Sequence, residues 1–432
     1  MERKIESKLN KWKKSRNRKP LILRGARQVG KTWSLLAFGK KYYRTVAYFN
    51  FESNEELQAI FERDLNPERI ISELAALSGQ TILKDDTLII FDEIQASERA
   101  LTSLKYFNED APEYHIAAAG SLLGVAVNRK KYSFPVGKVD FLNMFPLDFE
   151  EFLINTGRQQ AATMIRESFA QNQSFPLHQT FLSICYEYLY AGGMPQVIKE
   201  MIATNDHNLM TAIKKSISDA YIADMAKYAS PEETVRIMAV YNSIPAQLAK
   251  ENRKFQYNKI KSGARSAHYE IALDWLDAAG IINKCIKIDS GVFPLIVNED
   301  RSSFKIYLND TGLLCSKFGI PAAAFIGGVQ GYESIKGALS ENYVANVLTA
   351  NGFETRYWES QGKAEVDFVL QKKSGEIIPV EVKSSHHVNS KSLRQFVAKY
   401  NPSWSIRISQ KNFGFENNIK SVPLYAAFCI EP

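Results

Sequence analysis

Between residues 20 and about 150, short and nearly unbroken apolar runs alternate with longer amphipathic stretches. Leu21-Ile22-Leu23, Val46-Ala47-Tyr48-Phe49, Leu88-Ile89-Ile90-Phe91 and His115-Ile116-Ala117-Ala118 lack the polar alternation of a half-exposed strand. They suit strands of a parallel sheet covered on both faces. Helical stretches such as Trp33 to Lys41 and Pro67 to Ser78 lie between them. The alternation predicts a doubly wound α/β domain over 20–150. From Pro146 to about Tyr228 the pattern turns helical, with a break at Gly192-Gly193-Met194-Pro195. We read 151–230 as a helical lid or linker. Residues 231–330 hold short helices followed by two strand-like runs, Ile281 to Ile288 and Phe304 to Leu308, the order that a winged helix requires. A helix over Ala338 to Ala350 then precedes three strand-like runs: Thr355 to Trp358, Val366 to Gln371 and Ile377 to Val382. These predict a second α/β unit over 331–432. Ahead of everything, Ile5, Leu9 and Trp12 recur at the spacing of an apolar helix stripe within 1–19.

Charge changes the picture at only one place. The chain of 432 residues has a formal net charge of +7. Residues 1–20 hold nine Lys/Arg and two Glu, which is +7, so the other 412 balance at 45 basic and 45 acidic side chains. Two readings of the first segment stay open: a helix docked by its stripe with its lysines in water, or an electrostatic contact with nucleic acid. Cys185, Cys285, Cys315 and Cys429 lie far apart with no CxxC spacing. That argues against a disulfide framework and a cysteine zinc site, and for a reducing compartment. The uncharged stretch Ile116 to Asn128 is too short to cross a bilayer, and the charged start offers no apolar signal region. We expect a cytoplasmic protein with no membrane partner.

Gly25-Ala26-Arg27-Gln28-Val29-Gly30-Lys31-Thr32 matches G-x-x-x-x-G-K-[ST], placed after a strand and opening a helix. Glycines let backbone N–H groups curl around phosphates. Lys31 sets a point charge on the β- and γ-phosphates, and the helix N-terminus adds its positive dipole end. The Thr32 hydroxyl suits Mg²⁺. We take Gly25 through Thr32, with the adjoining Trp33, as the nucleotide-binding set. Leu88 to Phe91 runs into Asp92-Glu93. Asp92 would hold Mg²⁺ with Thr32, and Glu93 would polarise the attacking water as general base. Lys31 and Ser121 complete the catalytic candidates. Ser121 either senses the γ-phosphate or serves as a turn residue at a helix start.

These segments occur in order with Phe91-Asp92-Glu93-Ile94-Gln95, Gly120-Ser121, Phe145-Pro146-Leu147, Phe149-Glu150-Glu151-Phe152, Gly192-Gly193-Met194-Pro195, Lys305-x-Tyr307 and Asp310-x-Gly312. Together they resemble a large family of bacterial and archaeal AAA-type P-loop ATPases. The resemblance implies an AAA domain, a winged-helix middle and a C-terminal domain of unknown function with a restriction-endonuclease-like fold. It also implies ATP and Mg²⁺, with Lys31, Thr32, Asp92 and Glu93 functional. Many relatives carry arginine at the position of Gly137-Lys138, as a candidate finger acting on a neighbouring subunit. Lysine lacks the planar bidentate fork, and Arg129 and Arg99 are the alternatives.

Two further constellations carry chemistry. Residues 250–268 hold six Lys/Arg and one acid, interleaved with Tyr257 and His268. Lys254, Lys259, Lys261 and Arg265 are candidate nucleic-acid contacts at a winged helix; the alternative is a solvated face. Glu341, Asp367, Glu381 and Lys383 fall in the order of the PD-(D/E)xK nucleases, whose carboxylates bring Mg²⁺ to a phosphodiester. Alternate residues Glu381 and Lys383 share a strand face. His386-His387 reads as loop. The alternative is a nuclease-like fold whose carboxylates form ion pairs.

The sequence therefore predicts a Mg²⁺-dependent AAA-type ATPase whose nucleotide state controls a winged-helix and nuclease-like module, with DNA, a second copy or another protein as partner. An ATP-gated nuclease and a slow nucleotide switch are the rival readings.

Overall fold

The computed structural model describes residues 1–120, 135–250, 253–261, 266–326, 333–360, 364–384 and 391–432. Ser121, Arg129, Arg265 and His386-His387 lie outside them. The chain forms two compact units, Met1–Phe145 with Ala278–Gly280, and Pro146–Asp277 with Ile281–Pro432.

The first unit is built on one five-stranded parallel sheet. Its strands are β1 (Leu21–Arg24), β2 (Thr45–Asn50), β3 (Thr87–Asp92), β4 (His115–Gly120) and β5 (Asp140–Asn143). Their order across the sheet is β2-β3-β4-β1-β5. All six residues of β3 and of β4 are buried, as their unbroken apolar character predicts. Phe49, Phe51, Phe61, Phe91 and Phe107 fill the core on one face with Ile22, Ile89 and Ile116. β4 lies between β1 and β3, so the loop after β1 and the acidic end of β3 open on the same edge, one strand apart.

The N-terminal helix Ile5–Lys13 docks by the predicted stripe, with Ile5, Leu9 and Trp12 buried. The Trp12 indole donates to the Lys19 carbonyl at 2.8 Å. Glu6 accepts from Lys41 at 2.6 Å and from the Tyr42 hydroxyl at 2.8 Å. Arg3 donates to the carbonyls of Val29 at 2.8 Å and Phe145 at 2.7 Å, which ties this segment to the loop after β1.

Under this helix, His115 stands edge-on to Trp12 and bonds the Tyr43 hydroxyl at 2.7 Å. Burial, with the Arg18 guanidinium adding to it, pushes its pKa down to about 4. The unfolded chain titrates near 6.5. A depressed folded pKa gives stability that is complete above about pH 6.5 and is lost as pH falls toward 4. The loss should be on the order of 1–3 kcal/mol, because solvent screens part of the effect. Denaturant melts of wild type and His115→Gln at pH 7.5 and 4.5 check this. The variant should lose markedly less than wild type on acidification, and equal losses would remove His115 from the account.

The second unit begins helical, with helices Phe149–Asn155, Gln159–Gln171, His178–Ala191, Pro195–Ala203, His207–Tyr228 and Pro231–Leu248. Asp148 and Glu151 form a capping box on the first of these. The Gly192-Gly193 break owes its residues to crowding. A Cβ on Gly193 would stand 2.0 Å from the Leu147 carbonyl oxygen, and one on Gly192 would stand 2.2 Å from Asp310 Oδ1. Asp310 is buried and accepts from the N–H groups of Gly193 at 2.6 Å and Leu313 at 2.8 Å. Gly192-Gly193 and Asp310-x-Gly312 thus meet as one packing joint.

The helix Glu270–Ala278 leads into β6 (Ile282–Ile288) and β7 (Glu299–Leu308), an antiparallel pair. The hairpin is not an isolated wing. β6 also pairs in parallel with β8 (Arg356–Ser360), and β8 pairs with β9 (Ala364–Val366), giving a sheet β7-β6-β8-β9. This sheet crosses the boundary expected near residue 330. Between its two halves in sequence lies the helix Glu333–Ala350. A further sheet, β10-β11-β12-β14-β13, contains β10 (Phe368–Gln371), β11 (Ile377–Val382), β12 (Ser405–Ser409), β13 (Gly414–Glu416) and β14 (Ile419–Pro423). The single strand predicted over Val366 to Gln371 is therefore two, in different sheets. Asp367 sits at the break, where its side chain accepts from the Val382 N–H at 2.8 Å. Among the described residues no helix is long and apolar enough to cross a membrane.

Candidate functional site

The loop Gly25–Gly30 joins β1 to the helix Lys31–Tyr42. Gly25 has φ +151°, and a Cβ there would stand 2.2 Å from the Met144 carbonyl oxygen, so only glycine fits beside β5. Gly30 caps the helix with φ 96°. The buried Lys31 ammonium donates to the carbonyls of Gly25 and Ala26, each at 2.9 Å, so it lies along the inside of the loop. Thr32 Oγ1 donates to Asp92 at 2.9 Å (Oδ2) and 3.1 Å (Oδ1). The predicted hydroxyl–carboxylate pair is thus in contact across the strand between them. Both are hard oxygen donors beside a loop of backbone N–H groups, a set that fits Mg²⁺ with a polyphosphate.

Glu93 follows Asp92 at the end of β3 with φ +50°. A left-handed glutamate is costly and is held by its surroundings. Its carboxylate accepts from Gln95 Nε2 at 2.5 Å. Trp33, next to Thr32, is exposed.

Sequence reasoning missed Tyr48. From β2, its hydroxyl donates to Asp92 Oδ2 at 2.8 Å and accepts from Asn50 Nδ2 at 3.3 Å. Burial, with Asp92 beside it, pushes its pKa up to about 12, so it stays a donor. Tyr48 and Thr32 therefore fix the Asp92 carboxylate together. Nothing in the sequence signalled it in advance, since the β2–β3 register that sets Asn50 opposite Asp92 is visible only in the fold.

The two finger candidates among the described residues, Lys138 and Arg99, have partners in their own chain. Lys138 pairs with Glu109 at 2.9 Å, and Arg99 donates to the Phe61 carbonyl at 2.6 Å. In the basic stretch, Lys259 and Lys261 are exposed, whereas Lys254 is turned inward to pair with Glu359.

The second unit gathers Glu341, Asp367, Glu381 and Lys383, and with them four residues that the sequence argument did not place there: Lys305, Tyr307, Arg253 and Glu365. Lys305 is wholly buried. Its ammonium lies 3.0 Å from Glu341 Oε1, 2.5 Å from Glu365 Oε1 and 4.0 Å from Asp367 Oδ1. The Tyr307 hydroxyl donates to the same Glu341 Oε1 at 2.5 Å, and Arg253 pairs with Oε2. Lys305 and Tyr307, two apart on β7, face one carboxylate together. Lys383 pairs with Glu381 at 3.0 Å. Burial works against the Lys383 charge, but Asp367 and Glu381 outweigh it and hold its pKa above the usual lysine value. The advance signal for Lys305 was a lysine inside the apolar run Phe304 to Leu308.

The fold and the loop chemistry of the first unit define a P-loop AAA domain, and residues 17–153 match the AAA domain family. Residues 183–324 and 336–427 match two separate families described as domains of unknown function. No curated protein matches the chain. Among solved structures, the Aeropyrum pernix ORC2 protein in ADPNP–ADP complexes aligns at 12% identity and TM-score 0.34, over 72% of this chain and 88% of that one. The Aeropyrum pernix ORC1 protein in complex with DNA aligns at 11% and 0.31, over 75% and 92%. The Thermotoga maritima RuvB Holliday junction branch migration motor aligns at 12% and 0.31, over 64% and 87%. Likeness at this level bears on neither activity nor partner.

Proposed function

We propose that the protein is a Mg²⁺-dependent ATPase, with its reaction at the edge of the first unit's sheet. The observation that carries this is the Thr32–Asp92 contact beside the Lys31 loop, with Glu93 next in the chain. The N–H groups of the loop and the Lys31 ammonium hold the β- and γ-phosphates. Mg²⁺, when bound between Thr32 and Asp92, supplies charge neutralisation on the phosphate oxygens. Tyr48 keeps Asp92 in one orientation. Glu93 takes a proton from the water in line with the γ-phosphate as that water attacks, and ADP leaves. ATP rather than GTP is the substrate, since the sequence offers no N-K-x-D segment of the kind that reads guanine. The second unit is the module that the nucleotide state acts on, a role supported by its being a separate compact unit.

Phosphate release from the purified full chain tests this. Turnover should require both ATP and Mg²⁺, cease in excess chelator, and fall by at least tenfold in Thr32→Ala. Turnover that persists without a divalent ion, or that Thr32→Ala leaves unchanged, would contradict the assignment.

A further inference from the structure

The carboxylates of the second unit are supplied with cations by the chain itself. Glu341, Glu365, Asp367 and Glu381 bring four negative charges, against three positive ones from Lys305, Arg253 and Lys383. Their oxygens are largely committed. Glu341 Oε1 takes Lys305 and Tyr307. Glu341 Oε2 faces Arg253, Asp367 Oδ2 takes the Val382 N–H, and Glu381 Oε1 takes Lys383. Within this set, Glu341 Oε2 and Glu381 Oε2 are buried without a hydrogen-bond partner, the first of them against the Arg253 guanidinium. Two oxygens, one of them already facing a cation, do not make the near-octahedral oxygen shell that Mg²⁺ demands. Among the described residues, no group of three or more His, Cys, Asp or Glu is arranged to hold a metal ion.

The central cation is also fixed in place. Lys305 is wholly buried, issues from the middle of β7 and reaches toward three carboxylates. A divalent ion among the same carboxylates would meet an ammonium that cannot swing into solvent. Burying several carboxylates demands compensation, and either a metal or basic side chains can give it. Here the basic side chains do so.

We propose that Lys305, with Arg253, stands in the place of the divalent ion of a restriction-endonuclease-like site, so that these carboxylates neither bind metal nor cleave phosphodiesters. Lys305-x-Tyr307 is the device that seals Glu341, and the cluster joins the β7 sheet to the helix Glu333–Ala350 as an ion-paired core. The second unit then acts by docking and not by cutting. This inference is independent of the ATPase assignment, which concerns other residues in the other unit.

The test is thermal melting of the full chain without nucleotide, in chelator and in millimolar Mn²⁺, for wild type, Lys305→Met, Lys305→Arg and Asp367→Asn. Wild type and Lys305→Arg should melt alike with and without Mn²⁺. Lys305→Met, with the central ammonium gone and the carboxylates exposed to one another, should melt several degrees lower in chelator and recover part of that loss in Mn²⁺. Wild type should also leave duplex and single-stranded DNA and RNA intact in Mn²⁺. A Mn²⁺-dependent rise in wild type that Asp367→Asn abolishes would overturn the proposal. So would cleavage lost in Asp367→Asn, or a folded Lys305→Met that is blind to Mn²⁺. Should Lys305→Met not fold, Mn²⁺ titration of wild type and Asp367→Asn by electron paramagnetic resonance decides. Equal ion uptake supports the proposal, and one ion fewer in Asp367→Asn overturns it.

Discussion

Lys31→Ala should bind ATP at least a hundredfold more weakly than wild type. Lys31 is the lysine of the loop, it is buried, and its ammonium already lies along the loop's inner face on the Gly25 and Ala26 carbonyls. A charge-assisted bond to a phosphate contributes about 1.5–3 kcal/mol in a typical setting. In a pocket that excludes water from one side, facing more than one phosphate oxygen, the effect is larger. Loss of about 2.7 kcal/mol is a hundredfold in affinity. The substitution also strands two carbonyls, so a melt should accompany the titration. The chain should stay folded while a fluorescent ATP analogue loses its saturable binding. Wild-type affinity in a folded Lys31→Ala protein would place the nucleotide elsewhere.

Much of the first unit was legible in the sequence because its strands are covered on both faces. Such strands become unbroken apolar runs, and β3 and β4 are buried at every position. The loop was legible because close backbone packing restricts Gly25 to one residue type. The N-terminal basic segment was half legible. Ile5, Leu9 and Trp12 announced a docked helix, but nothing in their spacing announced that Arg3 would reach the Val29 carbonyl.

The second unit was less legible, for a physical reason. Strand pairing between segments distant in sequence leaves no local pattern. Nothing in Ile282 to Ile288 shows that it pairs with β7 on one side and with β8, more than 60 residues away, on the other. The Val366 to Gln371 run reads as one strand because both halves are apolar. Its break at Asp367 depends on a hydrogen bond to Val382, which lies on another strand. Glu341, Asp367, Glu381 and Lys383 were grouped from their order in the chain; Glu341 and Asp367 lie around Lys305, and Lys383 pairs with Glu381. Their neutraliser was not visible, because Lys305 and Arg253 come from earlier segments. Lys254 shows the same limit. Its place in a basic stretch suggests a solvated face, yet it turns inward to Glu359.

Glu93→Gln should hold ATP as wild type does and turn it over 10²–10⁴-fold more slowly, the usual contribution of a positioned general base. That range corresponds to about 2.7–5.4 kcal/mol in the barrier. Glutamine keeps the shape of the side chain and its acceptor oxygen, but it cannot take the proton of the attacking water. The left-handed backbone at Glu93 and the Gln95 contact fix the residue directly after Asp92. Asp92, with Thr32 and Tyr48 bonded to it, is untouched by the change. ATP affinity and the single-turnover hydrolysis rate, measured on the same preparations of wild type and Glu93→Gln in Mg²⁺, therefore test the central claim most directly. The account predicts matched affinities and a hydrolysis rate at least a hundredfold lower in Glu93→Gln. Equal hydrolysis rates in the two proteins would contradict it.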